Sequence, residues 1–146
     1  MPYTRLVLHA VWSVKERKPL MSKFNKDALC CHIREYATGK NIHLLNINGW
    51  LDHLHALISL STDQNVATVM NLIKGESSYW ANRNLFWAEH FGWQDDYFAV
   101  SVSRSHEERV YRYIENQEKH HRRKTYLDEY YEFIDRFKFE NNLSKS

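Results

Sequence analysis

Two runs of alternating apolar and polar residues lie close together near the middle of the chain, at about 42–48 and 51–60. Period-two alternation is typical of strands that bury one face. Asn48-Gly49 predicts a tight turn between the two runs. Parallel strands need a crossover of about a dozen residues or more, so this pair must be antiparallel. This short connection constrains the fold more than any other feature of the sequence.

The remaining patterns place one helix and one strand on either side of this hairpin. Each element is predicted from its apolar spacing and from the turn and capping residues that flank it. The predicted order is strand 3–14, helix 22–40, strand 42–48, strand 51–60, a helix capped by Thr62 or Asp63, an irregular aromatic stretch at 82–95, and strand 97–103.

Two further helices are predicted after the last strand. Ser105 with Glu108 forms a capping-box pattern that would open a helix to about His121. Thr125 with Asp128 would open a last helix that runs to about Phe137. The C-terminal part of the chain is therefore expected to be helical up to a short polar tail.

This order of elements predicts an α+β fold. Strand, helix, strand, strand, helix, strand is the ferredoxin-like split βαβ pattern, with an antiparallel sheet and helices on one face. The opposite face of the sheet would then be open for a site, next to the additional C-terminal helices. A chain of 146 residues with 43% apolar side chains suits one core. We expect one domain at 1–139 and a polar tail at 140–146.

Charge, cysteines and hydropathy exclude some classes of protein. A formal net charge of +2 is too small to indicate nucleic-acid binding by itself. The basic run at 119–124 could neutralise phosphates or form a solvated helix end. Cys30 and Cys31 are neighbours, and no second pair exists for a zinc site. The apolar run near the N-terminus is too short to span a membrane and lacks a signal-peptide pattern, so we expect a cytoplasmic protein.

His53 and His55 are the first candidates for a metal site. On a strand, positions i and i+2 project to the same side, so both imidazoles can reach one ion. Leu54 and Ala56 would point the other way, into the core. With nine histidines in the chain, chance gives about half a pair at this spacing. Taken alone, the pattern favours two half-exposed strand histidines over a metal site.

Tyr113 and Gln117 supply the second half of the candidate site. On a helix they are i and i+4 and lie one above the other, with Arg109 and His120 along the same edge. Tyr113 is the only tyrosine that is followed by Gln four residues later. The alternative is that Tyr113 belongs to an apolar stripe that packs in the core.

The two halves together make a chemically sensible set. Two imidazoles and a carboxamide oxygen form a neutral three-ligand site that suits Mg²⁺ or Mn²⁺ and leaves positions open for phosphate oxygens. Such an ion would polarise a scissile phosphate. A tyrosine has a reference pKa near 10, so ionising it at pH 7 costs about 4 kcal/mol, which a nearby cation can offset.

With these residues in view, the sequence resembles the single-tyrosine HUH transposases of the small insertion-sequence type, which are related to the repeat-associated tyrosine transposases. The resemblance runs over nearly the whole chain. Its carriers are five short motifs, followed by the His120-His121 pair: Asp52-His53-Leu54-His55, Leu72-Ile73-Lys74-Gly75-Glu76-Ser77-Ser78, Trp93-Gln94, Ser101-Val102-Ser103 and Tyr113-Ile114-Glu115-Asn116-Gln117.

The resemblance implies a DNA transposase that acts as a homodimer on single-stranded DNA with hairpins near the element ends. His53 and His55 would hold the divalent metal, Gln117 would be the third ligand, and Tyr113 would attack the DNA backbone. The product would be a 5′-phosphotyrosine link and a free 3′-hydroxyl, and no nucleotide cofactor would be needed. The tyrosine helix can serve the histidines of its own subunit or of the partner.

The sequence departs from the family pattern at two places. A proline is usual before the first histidine, where this chain has Trp50-Leu51-Asp52. A glycine is frequent after the Trp-Gln pair, where this chain has Asp95-Asp96-Tyr97. Neither departure removes a catalytic group, but the second could alter the fit of DNA.

Several other residues are candidates for a role in the site or in DNA binding, and each also has a simpler structural explanation. Asp52 could orient a histidine or cap a turn. Lys74 could contact a DNA phosphate or be a solvated lysine. The remaining candidates for DNA contact are basic residues that lie near Tyr113 in the sequence or follow it: Arg109, His120, Arg122, Arg123 and Lys124.

Two other functions remain open beside the strand transferase. Ferredoxin-like sheets commonly bind single strands, so the chain could be a non-catalytic nucleic-acid-binding module. It could also be a domesticated transposase that binds repeats without moving them. A binding module would not need the histidine pair together with Tyr113 and Gln117.

Overall fold

A computed structural model describes residues 2–121 and residue 128 of the chain. The described part contains four strands and four α-helices, and short 3-10 turns precede α1 and α3. In chain order the elements are β1 Leu6–Ser13, α1 Lys23–Gly39, β2 His43–Gly49, β3 His53–Leu60, α2 Val66–Asn84, β4 Phe98–Val102, α3 Glu107–Glu115 and α4 Gln117–His121.

The strands form one sheet in the order β2-β3-β1-β4, and every neighbouring pair is antiparallel. This is the order of a split βαβ fold, so the predicted α+β architecture is confirmed. The expected bounds of the four strands agree with the observed ones to within a few residues. None of the helices in the described part is long and apolar enough to cross a membrane.

The register between β1 and β3 decides what each face of the sheet carries. Val11 lies opposite His55 and Ser13 lies opposite His53. Directly paired residues share a face, so both histidines lie on the same side as the odd-numbered residues of β1. We call this side the histidine face. The even-numbered residues, among them Trp12 and Leu54, point to the other side.

The main core lies on that other side, where α1 and α2 pack against the sheet. Its members are fully buried and apolar, and the spacing of three or four residues within each helix brings them to one surface. They include Leu29 and Ile33 of α1, Met70 and Ile73 of α2, and Trp12, Leu54 and Ile58 of the sheet.

A second, smaller cluster lies on the histidine face. Ile114 of α3 is fully buried there against Val7 and Leu57, and half-buried Val110 and Tyr113 pack beside it. The face that was expected to be open is therefore partly covered by the helix that carries the tyrosine.

Capping side chains mark the starts of α1 and α2, and the predicted cap of α2 is wrong. Ser22 Oγ accepts a hydrogen bond from Asn25 N at the start of α1. For α2 the cap is Asn65, whose Oδ1 accepts from Thr68 N at 2.8 Å, and not Thr62 or Asp63. Asp63 instead accepts a hydrogen bond from Ser61 within the turn that precedes the helix.

The hairpin turn also lies elsewhere than predicted. Gly49 is the last residue of β2 and pairs with Leu54, so Asn48-Gly49 is not the turn. The loop is Trp50-Leu51-Asp52, and Trp50 N donates to His53 O at 3.0 Å across it. The strands continue past the predicted turn because Gly49 lets the two backbones approach closely.

The predicted helix from Ser105 to His121 is two helices. Residues Arg104–His106 form a 3-10 turn, and α3 follows His106 without a side-chain capping bond, so Ser105 does not cap the helix. The chain then leaves α3 at Asn116, whose backbone is not helical, and continues as α4. The irregular stretch begins after Asn84 rather than at residue 82. The predicted last helix at 125–137, apart from residue 128, and the tail at 140–146 lie outside the described residues.

Gly49→Ala tests the close approach in the hairpin. An added Cβ would lie 2.2 Å from His53 O and 2.9 Å from Leu54 Cα, so the paired backbones must separate. We expect the free energy of unfolding, measured by denaturant titration, to fall by about 1–3 kcal/mol.

Gly75→Ala is the matched control for that substitution. Gly75 lies inside α2, and nothing lies within 4 Å of an added Cβ. Alanine favours the helix, so stability should rise by about 0.5–1 kcal/mol. Equal stability of Gly49→Ala and the unchanged protein would show that the hairpin tolerates the extra methyl group.

Candidate active site

The two strand histidines lie side by side under α3. The rings of His53 and His55 have centroids 5.0 Å apart, and neither residue has exposed surface. The alternation of β3 places them on one face, as the sequence predicts. The alternative of two half-exposed histidines is wrong, because both imidazoles are enclosed.

Each imidazole is held at its Nδ1 atom by a different neighbour. His53 Nδ1 donates to the carboxylate Oδ1 of Asp52 at 2.7 Å. His55 Nδ1 lies 2.8 Å from His9 Nε2, and one of these two nitrogens donates to the other. A hydrogen bond at Nδ1 fixes the ring and leaves Nε2 as the nitrogen that can coordinate a metal. Of the two roles considered for Asp52, this bond matches the orientation of a histidine.

His9 is a site residue that the sequence analysis did not select. It lies in β1 on the histidine face, fully buried and stacked on His55 with ring centroids 5.1 Å apart. The available signal was a polar residue that interrupts an apolar strand. Only the register of β1 against β3 shows that this residue reaches His55.

Tyr113 meets the histidines within the same chain. Its ring centroid lies 5.5 Å from that of His55 and 6.1 Å from that of His9, with the rings nearly perpendicular in both contacts. Tyr113 also packs in the small cluster around Ile114. Tyr113 therefore packs in an apolar cluster, and the same ring contacts His55.

Gln117 joins Tyr113 across the break between α3 and α4. Its side chain is fully buried, and Nε2 donates to Tyr113 O at 3.2 Å. The spacing of four residues thus still connects the two, although the helix is interrupted at Asn116. With the amide nitrogen engaged in this way, Oε1 is the atom of Gln117 that can coordinate a cation.

The donor set fits a hard divalent cation. Two imidazole nitrogens and one carboxamide oxygen are neutral donors of the kinds that Mg²⁺ or Mn²⁺ accepts when phosphate and water complete the coordination. Within residues 2–121 no group of three or more His, Cys, Asp or Glu side chains is arranged to hold a metal. A metal bound at the histidines would therefore need Gln117 or oxygens from a substrate.

Lys74 lies in α2 and its ammonium group is engaged by the chain itself. Nζ donates to Gln94 O at 2.6 Å and to Asp95 O at 2.8 Å, and it lies over the ring of Tyr97. Burial lowers the pKa of this ammonium, and Asp95 and Asp96 partly oppose that shift. Lys74 therefore fastens the segment before β4 to α2.

The Trp93-Gln94 pair belongs to the same support. Gln94 N donates to Ser13 O, and Gln94 Oε1 accepts from Glu16 N, both at 2.9 Å. Trp93 Nε1 donates to Ser77 Oγ of α2. Since Ser13 lies opposite His53, these bonds brace the end of the sheet that carries the first histidine.

The other predicted DNA contacts fall in the C-terminal part. Arg109 is exposed on α3, one turn before Tyr113, and His120 lies in α4. Arg122, Arg123 and Lys124 lie outside the described residues.

Comparison with known proteins identifies the family to which the sequence is similar. The family model described as "Transposase IS200 like" matches residues 2–117, a span that includes His53, His55, Tyr113 and Gln117. The ISDra2 transposase TnpA of Deinococcus radiodurans is 24% identical over 119 residues, which cover 77% of this chain and 84% of that protein.

Two solved structures share the fold. A candidate transposase from Deinococcus radiodurans superposes with a TM-score of 0.60 at 22% identity, covering 80% of this chain and 93% of the other. A REP-associated tyrosine transposase, solved bound to a REP hairpin, superposes with a TM-score of 0.62 at 12% identity, covering 83% and 72%.

Lys74→Met tests the support beside the site. Removing the ammonium leaves two carbonyl oxygens without their donor, so the free energy of unfolding should fall by about 1–3 kcal/mol. Lys40→Met, at an exposed lysine at the end of α1, is the control and should change stability by less than about 0.5 kcal/mol. Denaturant titration measures both, and equal effects would exclude a special role for Lys74 in holding the segment.

Proposed function

The chain belongs to the family of IS200-like transposases, whose model spans residues 2–117, and we propose that it cleaves and rejoins single-stranded DNA through Tyr113. The observation that supports this most is the contact of the Tyr113 ring with His55 in one chain. A phenol beside a pair of oriented imidazoles is the arrangement that a metal-assisted tyrosine nucleophile needs.

The proposed reaction is an exchange of one phosphodiester for another. Tyr113 Oη attacks the scissile phosphorus, the bond from phosphorus to the 3′ oxygen breaks, and the 5′-phosphate stays on the tyrosine. The phenol loses a proton and the departing 3′ oxygen gains one, so no net proton is consumed. In the second step a 3′-hydroxyl attacks the phosphotyrosine and frees Tyr113. Bond energy is retained throughout, which is why no nucleotide cofactor is needed.

The roles of the other residues follow from their contacts. His53, His55 and Gln117 would hold a divalent cation, Mg²⁺ or Mn²⁺, which supplies charge that polarises the phosphate. Asp52 and His9 orient the two imidazoles through the Nδ1 bonds. Gln117 also ties its own position to that of Tyr113 through the main-chain carbonyl.

The proposed substrate is single-stranded DNA with hairpins near the ends of a mobile element, bound by a homodimer. The structural relative bound to a REP hairpin supports a hairpin substrate for this chain. Arg109 and the basic residues after α4 are the proposed contacts to the DNA backbone, because phosphate contacts supply most of the affinity in such complexes.

Tyr113→Phe tests the nucleophile. Incubation of the protein with end-labelled single-stranded hairpin DNA and Mg²⁺ or Mn²⁺ should give a covalent adduct that survives a denaturing gel. Removing the phenol oxygen should abolish that adduct, while binding of the DNA on a native gel should change less than about threefold.

Tyr111→Phe is the matched control on the same helix. Tyr111 lies two residues away and is exposed, and it should form adduct at the unchanged rate. Persistence of the adduct in Tyr113→Phe would exclude Tyr113 as the nucleophile. DNA binding by the unchanged protein without any adduct would favour a non-catalytic or domesticated binding protein.

Mn²⁺ affinity tests the proposed metal ligands without reference to catalysis. His53→Ala and His55→Ala should each weaken Mn²⁺ binding, measured by electron paramagnetic resonance, by at least about tenfold because a ligand is lost. His9→Val should weaken it by roughly tenfold through the orientation of His55, and His9→Gln should restore part of the loss.

His32→Ala is the control for the metal experiment. His32 is bonded to Glu76 and stacked on Trp80 between α1 and α2, so it lies on the opposite side of the sheet. Its removal should leave Mn²⁺ affinity unchanged. Equal affinity of all four alanine and valine variants would place the metal elsewhere.

A further inference from the structure

The tyrosine helix has little apolar contact to hold it in place. α3 has nine residues, and only one of them, Ile114, is buried. Helices of this length are marginal on their own in water. Something else must fix α3 on the histidine face, because the Tyr113 ring is placed against His55 by this helix alone.

Two asparagines of β2 reach the C-terminal end of α3. Asn46 Nδ2 donates to Tyr111 O at 3.2 Å and to Glu115 Oε2 at 3.0 Å, and Asn48 Nδ2 donates to Glu115 O at 3.0 Å. The last four carbonyls of a helix lack partners within it, so Asn48 satisfies such a group at Glu115, while Asn46 adds a second donor to a carbonyl one turn earlier. Tyr113 lies between the two bonded carbonyls along the helix.

A buried lysine of α1 is bonded to one of these asparagines. Lys26 is only 4% exposed, and its Nζ donates to Asn48 Oδ1 at 2.8 Å. The same ammonium lies 3.0 Å from Asp27 Oδ1 and 3.4 Å from Glu118 Oε1 of α4. A buried charge is costly unless it is paired, so these contacts hold Lys26 and α4 in a defined position.

Arg34 of α1 fixes the orientation of the other asparagine. Its Nη2 donates to Asn46 Oδ1 at 3.2 Å and to Ile47 O at 3.0 Å. With Oδ1 engaged in this way, and also by Ile47 N, the amide nitrogen of Asn46 is directed at α3. Each asparagine therefore has its side-chain oxygen bonded to a residue of α1 and its side-chain nitrogen bonded to α3.

We infer that Lys26, Asn46 and Asn48, which we name the amide latch, hold α3 on the sheet and set the position of Tyr113 over the histidines. The docking of α3 stands on the contacts alone, whereas the effect on the nucleophile rests on the proposed function. The latch residues do not touch the reacting atoms and are positioning residues. Their loss should loosen α3 and α4 and leave the histidines of the sheet in place.

Amide hydrogen exchange tests the docking without any reaction. In Lys26→Met and in Asn48→Ala, the amides of residues 111–116 should exchange at least about tenfold faster than in the unchanged protein, while those of β1 and β3 should keep their protection. Lys23→Met is the matched control. Lys23 is 70% exposed, and it pairs with the same Asp27 and Glu118 but not with Asn48. Its exchange should change less than about twofold.

Adduct formation then tests the effect on the nucleophile. The two latch variants should form the Tyr113 adduct at least about fivefold more slowly. Their Mn²⁺ affinity should fall no further than in Gln117→Ala, because α4 carries Gln117 whereas the histidines stay on the sheet. Lys23→Met should form adduct at the unchanged rate. A merely structural role for Lys26 would lower Mn²⁺ affinity as far as His53→Ala does, because the sheet itself would be disturbed.

The outcomes separate the latch from the proposed function. Unchanged exchange at 111–116 in both variants overturns the latch, and so does equal loss of protection in β1 and β3. If Lys26→Met does not fold, Asn48→Ala alone decides. If exchange responds as expected but the unchanged protein forms no adduct with DNA, the latch stands and the strand transferase does not.

Discussion

The pairing of β1 with β3 is the constraint on which the rest of the molecule depends. It places Val11 opposite His55 and Ser13 opposite His53, so one face of both strands is apolar core and the other carries the site. A shift of the register by one residue would exchange the two faces, burying the histidines among Leu29 and Ile73. The main core under α1 and α2 therefore protects the geometry of the site, although none of its residues takes part in the chemistry.

Around this pairing, the site is assembled from bonds between side chains on separate elements. β1 contributes His9, the hairpin loop contributes Asp52, and β3 contributes the imidazoles that these two residues hold. The tyrosine comes from α3, and the last carbonyl of that helix accepts a hydrogen bond from β2. The His9–His55 bond is buried and therefore costly to leave unmade, and all of these bonds require a defined geometry, so the polar network favours one arrangement where a purely apolar contact would allow several.

The sequence predicts those features that depend on neighbouring residues and misses those that depend on the sheet. The order of the strands and helices, together with the short hairpin, is enough for the split βαβ topology. Alternation in residues 51–60 is enough for the shared face of His53 and His55. They are not enough for His9, because its contact with His55 exists only after β1 and β3 are paired. The cap at Asn65 and the break at Asn116 were missed for a related reason. Several polar residues near each position could cap or end a helix, and tertiary packing selects one of them.

The enclosure of the histidines has a consequence for the order of events. His53, His55 and Gln117 have no exposed surface while α3 lies on the sheet, so binding of a phosphodiester beside them requires the surrounding side chains to shift. The contacts that hold Tyr113 over the histidines therefore also limit the access of DNA to them. Precise placement of Tyr113 and entry of DNA thus oppose each other, and the strength with which α3 is held on the sheet determines the balance between them.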